Sequence, residues 1–140
     1  LGAGVGAALA GAFLVGALVL TQIPALRDPV QQLLDHADRG VFVVVLVLTL
    51  VNGVAEETFF RGALYDALRG RAPVVTSTLV YTVVTAASGI WMLAFAGLVL
   101  GGVCALLRRR TGTLHAPIAA HLVWSLGMIL ILPRALDLWS

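Results

Sequence analysis

Ala55-Glu56-Glu57-Thr58-Phe59-Phe60-Arg61-Gly62 ends an uncharged run that starts at Val41. Residues 41–55 read as membrane helix, and two carboxylates at the end of such a run are costly. An acidic side chain at mid-bilayer costs roughly 2.5 to 3.5 kcal/mol on insertion scales. Arg61 stands one helical turn beyond Glu57, so the three charges form a group that the chain has reason to keep.

The rest of the composition agrees with a membrane setting. Of the 140 residues, 60% are hydrophobic and 11% charged, and the mean hydropathy is +1.01. A soluble domain of this size is far more polar. All nine basic residues are arginines and the net charge is +2. They sit in short clusters between apolar runs, a pattern of topology control rather than of nucleic-acid binding. Cys104 is the one cysteine, so no intrachain disulfide forms, and its apolar neighbours make it a packing residue. Because the sequence opens on Leu1, a longer parent chain is expected.

Working outward, the span that starts at Val41 should run through the glutamates to about Arg69, with Glu56 roughly 22 Å from its start. Arg69, Gly70, Arg71 and Pro73 make a turn. Residues 74–87 form a short, threonine-rich third span, broken by Ser88-Gly89. Residues 90–107 form a fourth, with Gly97 and Gly101 in a GxxxG pattern. It ends at Arg108-Arg109-Arg110, and Pro117 suits the first turn of a fifth span ending near Pro133. Before all these, residues 1–26 carry no charge and are long enough to cross about 30 Å of hydrocarbon. Gly4, Ala8, Ala12 and Gly16 form a small-residue stripe there, a place for another helix to pack. Residues 27–40 are polar, a short interfacial helix or loop in which His36 reads as a solvated loop histidine and Asp35, His36 and Asp38 give only a very weak metal-binding signal.

The expected fold is therefore an all-α polytopic membrane bundle of about five spans, one domain over residues 1–140. The two basic turns fall on one side, which the positive-inside rule makes cytoplasmic. Glu56 then lies near the cytoplasmic face of an integral membrane protein. His121 is about 9 Å into the fifth span from the same side. Ser125 is one turn deeper, and Asn52 is one turn before Glu56. A carboxylate, an imidazole, an amide and a hydroxyl thus share one layer if the second and fifth spans are neighbours. A glutamate and a histidine so placed can activate water and protonate a leaving group. Singly, each has a plainer reading: Glu57 and Arg61 as an intrahelical ion pair, His121 as a packing histidine. Together they read as a site.

These residues also carry a resemblance. Glu56-Glu57-x-x-x-Arg61-Gly62 is similar to the first motif of the CAAX protease and bacteriocin-processing (CPBP, or Abi) family. Phe95-x-Gly97-x-x-x-Gly101 and Thr111-Gly112-Thr113-Leu114-x-Ala116-Pro117-Ile118-x-Ala120-His121 resemble its third and fourth motifs, so the likeness covers residues 41–130. The resemblance implies an intramembrane endopeptidase of a bacterial-type plasma membrane, acting on a peptide or protein that is prenylated in the CAAX-processing members. It gives Glu56 the part of water-activating base, makes Glu57 and Arg61 its partners, and matches His121 to the fourth-motif histidine. Ser125 falls where the family usually has Asn. Asn52, Phe60, Tyr81, Thr85 and Ser125 are the expected oxyanion- and substrate-lining residues.

One departure bears on activity. The second motif is usually Phe-x-x-x-His, and here Tyr81-Thr82-Val83-Val84-Thr85 aligns with it. Threonine is neither an imidazole base nor a strong metal ligand. His115 is a candidate substitute, or simply an interfacial residue. The alternative reading is a catalytically inactive scaffold or bacteriocin-immunity-type binding protein. No cofactor is assigned: there is no HExxH, and Glu56, Glu57 and His121 are one histidine short of the usual zinc set.

Overall fold

The computed structural model describes residues 1–20, 22 and 42–137. The polar segment with Asp35, His36 and Asp38 lies outside them. The elements are α1 (Gly2–Leu20), α2 (Phe42–Ala67), α3 (Pro73–Ala86), α4 (Trp91–Thr111), α5 (His115–Leu130) and a short α6 (Leu132–Asp137). Among the described residues there is no strand. The chain is a polytopic helical bundle.

Four helices are long and apolar enough to cross a membrane: Gly2–Leu20, Phe42–Ala67, Trp91–Thr111 and His115–Arg134. The fifth expected span, α3, has 14 residues. At 1.5 Å per residue its rise is about 21 Å, short of the hydrocarbon thickness. Turn chemistry trims it at both ends. Gly70 (φ 84°) and Ala72 (φ 49°) take left-handed conformations before Pro73, and Gly89 (φ 77°) does so after it. Gly112 (φ 69°) ends α4 in the same way, its N–H bonded to the Arg108 carbonyl at 2.9 Å.

Close approach of backbones organises the bundle. Helices α1 and α5 run parallel, with Gly2 and Gly6 against the Ala116 and Ala120 backbone and Ala10 against Gly127. The packing stripe of α1 is thus Gly2, Gly6, Ala10 and Ala17. This corrects the sequence expectation: Gly4, Ala8 and Ala12 are exposed, and a Cβ on Gly4 or Gly16 would meet open space. So many small residues line α1 that spacing alone offers several stripes, and only the partner helix selects one.

The GxxxG of α4 packs as its pattern suggests. Gly97 receives the Thr85 side chain, and Gly101 receives Tyr81 and Arg61, at 2.9 Å from its ideal Cβ position in both cases. Helix α3 therefore lies antiparallel in the groove of α4. Gly53 lets α2 approach α5 at His121 and Leu122. Leu100, Cys104 and Leu107 of α4 bury with Ala120 of α5, and Val5, Leu9 and Trp124 close over them. Cys104 is fully buried, its thiol toward the Pro117 carbonyl at 3.6 Å. Val43, Val44, Val47, Leu48 and Val51 of α2 face outward, which suits lipid contact.

The two basic turns meet at one end of the bundle, because Asp66 pairs with both Arg69 and Arg108 at 3.2 Å. The shared side inferred from counting spans is thus present in the packing.

The selected stripe yields a paired expectation. Gly6→Ala places a methyl group against the Ala120 backbone and should cost about 1–3 kcal/mol of stability. Gly4→Ala should leave stability unchanged or slightly raised. Thermal unfolding in detergent micelles measures both, and equal losses would mean that α1 packs by its other face.

Candidate active site

The site begins where α2 changes its winding. Phe42–Glu57 is α-helical, Thr58–Leu64 is π-helical, and Tyr65–Ala67 returns to α. A π segment bonds i to i+5, and such segments often mark functional sites. Within it the three consecutive residues Phe60, Arg61 and Gly62 are all buried. The preceding glutamates have different surroundings. Glu57 is fully buried, while the Glu56 side chain keeps 25% of its exposure.

His121 of α5 stands between the two carboxylates. Its Nδ1 is 2.8 Å from Glu57 Oε1, and its Nε2 is 3.8 Å from Glu56 Oε2. The same Glu57 oxygen accepts from Arg61 Nη1 at 3.1 Å. Glu56 is held from two further directions. Asn52 Nδ2 donates to its Oε1 at 2.6 Å, and the Tyr81 hydroxyl of α3 donates to its Oε2 at 2.7 Å. Two separate helices, α3 through Tyr81 and α5 through His121, thus converge on the adjacent glutamates of α2, while Asn52 reaches Glu56 along α2 itself.

Aromatic rings close the inner side. The Arg61 guanidinium carbon lies 4.5 Å from the Tyr81 ring centroid and 5.8 Å from that of Phe60. Phe60 is itself buried and packs edge-on to Tyr81 with centroids 4.8 Å apart. A cation beneath π faces in a dry interior is partly compensated for its lost hydration. Among the described residues, Arg61 Nε and Nη2 and Glu57 Oε2 are buried with no hydrogen-bond partner. The Glu57–Arg61 pair is therefore held by few bonds, at high electrostatic stakes.

The remaining expected residues take other places. Ser125 is buried one turn beyond His121. Thr85 turns its hydroxyl back to the Tyr81 carbonyl at 2.6 Å and faces Gly97. His115 is exposed at the first residue of α5. Sequence reasoning missed two contributors, Asp66 and Arg108. Arg108 Nε donates to the Arg61 carbonyl at 3.0 Å, and its Nη2 reaches both Asp66 oxygens at 3.2 Å. Inside a run of three arginines, Arg108 had no mark in the sequence to set it apart.

Among the described residues no group of three or more His, Cys, Asp or Glu side chains is placed to hold a metal ion. Glu57 Oε1 already accepts from a guanidinium and lies against an imidazole, the setting of an ion-paired carboxylate.

Comparison with known proteins agrees with the motifs. Searches of curated proteins and of solved structures gave no match. The family model described as "Type II CAAX prenyl endopeptidase Rce1-like" matches residues 38–127, well over half of the chain. That stretch contains Asn52, both glutamates, Arg61, Tyr81, Arg108, His121 and Ser125. The chain belongs to the Rce1-like family of type II CAAX prenyl endopeptidases, a family of membrane proteases.

Proposed function

We propose that this protein is an intramembrane endopeptidase in which Glu56 activates water to cut a membrane-delivered peptide near the cytoplasmic face. The observation that carries the reading is the unequal burial of the two glutamates around one histidine. Glu57 is sealed against Arg61, whereas Glu56 stays open and lies beside His121. The open carboxylate is the one that water and a peptide carbonyl can reach. The cytoplasmic assignment follows from the basic turns at the same end of the bundle.

The chemistry follows from these positions. Glu56 takes one proton from water, and the hydroxide adds to the scissile carbonyl carbon. The negative charge that forms on oxygen needs donors. The Tyr81 hydroxyl, against Glu56 Oε2, can supply one, and His121 supplies a second from Nε2 when it carries both ring protons, with Nδ1–H on Glu57. The tetrahedral species then collapses, the C–N bond breaks, and Glu56 returns its proton to the leaving amine. Glu57 accepts from His121 Nδ1–H, which sets the ring so that Nε2 points at Glu56. Asn52 steadies the other Glu56 oxygen. The substrate class we assign is the prenylated CAAX-type tail that the family description names. Phe59, 56% exposed beside the site, offers such an apolar ligand a surface.

A second reading is favoured by Thr85. The second-motif position carries a hydroxyl bonded to its own helix in place of an imidazole. On that reading the chain is a non-cleaving member of its family that binds a membrane partner, and the polar cluster serves as glue between helices.

Two variants bear on these readings, and a third tests the buried ion pair that both share. Glu56→Gln should lower turnover of a membrane-delivered peptide by roughly 10²–10⁴-fold, the range for a lost acid–base group. Unchanged turnover in liposomes ends the peptidase reading. Thr85→His should raise turnover above that of the wild type if the missing imidazole limits the enzyme. Glu57→Gln should destabilise the fold by about 3–5 kcal/mol, because it strands the buried Arg61 charge. The double change Glu57→Gln with Arg61→Met should recover much of that loss, as read by thermal unfolding in detergent.

A further inference from the structure

Arg108 opens the run of three arginines that closes α4, and it differs from its neighbours. Arg109 and Arg110 are exposed. The Arg108 side chain is only 12% exposed and bonds through all three of its nitrogens. Nε donates to the Arg61 carbonyl, Nη2 to the Asp66 carboxylate and Nη1 to the Gly112 carbonyl. Its guanidinium carbon is also 5.9 Å from the Tyr65 ring centroid.

The three acceptors belong to three parts of the molecule. Arg61 lies in the π segment, Asp66 in the last turn of α2, and Gly112 in the turn that leads into α5. One side chain therefore ties the strand of contacts on both sides of the site. It fixes the backbone of Arg61, whose own side chain holds Glu57, and Glu57 in turn holds His121. It also fixes the turn from which the His121-bearing helix starts. A lysine cannot replace it, since an ammonium is a single donor point and these acceptors are spread across a fork.

We propose that Arg108 is a positioning residue: it sets the register between the π segment of α2 and the start of α5, and so the geometry of Glu57 and His121. This inference rests on the peptidase reading above. Arg108 acts through other residues, so its loss should fall on kcat and leave KM unchanged. A misplacement of about 1 Å in such a site can cost on the order of a hundredfold in rate.

The test measures kcat and KM for a membrane-delivered peptide on the full chain in liposomes, per folded protein as judged by size exclusion and circular dichroism. Arg108→Gln and Arg108→Lys should both lose kcat, on the order of tenfold or more, at unchanged KM. Arg109→Gln with Arg110→Gln should match the wild type. Failure of lysine to rescue separates the fork from the charge. Full kcat in Arg108→Lys, or a loss that appears in KM alone, would overturn the inference. If Arg108→Gln does not fold, Asp66→Ala carries the test by removing one of the three acceptors, and an unaltered kcat there counts against the proposal. Glu56→Gln runs alongside. Turnover retained in that variant, or absent from the wild type, defeats the peptidase reading itself. An inactive Glu56→Gln beside a fully active Arg108→Lys defeats only the role of Arg108.

Discussion

The structure depends on a charged pair kept away from water. Glu57 and Arg61 are both fully buried, 3.1 Å apart, one turn apart on the same helix. Neither could stay inside an apolar bundle without the other, since an unpaired buried charge costs several kcal/mol. Holding them there makes demands on everything nearby. The helix widens into a π segment, Gly101 gives up a side chain so that the guanidinium fits, and Tyr81 and Phe60 put their rings around it. Once Glu57 is fixed in this way, His121 has one strong partner, and its second nitrogen is directed at Glu56.

Small residues make such convergence possible. Lipid tails are as apolar as leucine, so helices in a membrane gain little by hiding leucine from them and associate instead through close packing and hydrogen bonds. Gly53 brings α2 to α5, Gly97 and Gly101 bring α3 to α4, and Gly2 and Gly6 brace α5 from behind with α1. The polar site is then framed by glycine contacts on each side. The α1–α5 contact runs through the backbone of Ala116 and Ala120, next to His121 in the chain, and through Phe13 on Trp124, whose ring lies edge-on to His121.

Adjacent glutamates divide the work by environment. They differ by one position in sequence, but one is sealed and the other retains access. That asymmetry supports assigning structure to Glu57 and chemistry to Glu56, a division that residue type alone could not make. The Thr85 hydroxyl is engaged with its own helix, bonded to the Tyr81 carbonyl. The phenol of Tyr81, one turn before it on the same helix, bonds Glu56.

For the membrane class and the helix boundaries to within a few residues, apolar runs and arginine clusters were enough. Apolar runs, arginine clusters and a fixed rise per residue are local properties, and local properties can be counted. Four of the five expected spans are long enough to cross, and α3 is shortened by turn residues whose effect on length was less plain than their presence. Tertiary structure alone decided which stripe of α1 packs, which glutamate is sealed, and that Arg108 reaches across 47 positions to the Arg61 carbonyl. Each of these turns on which helix lies opposite, and a partner's identity is not written in the periodicity of the segment that meets it.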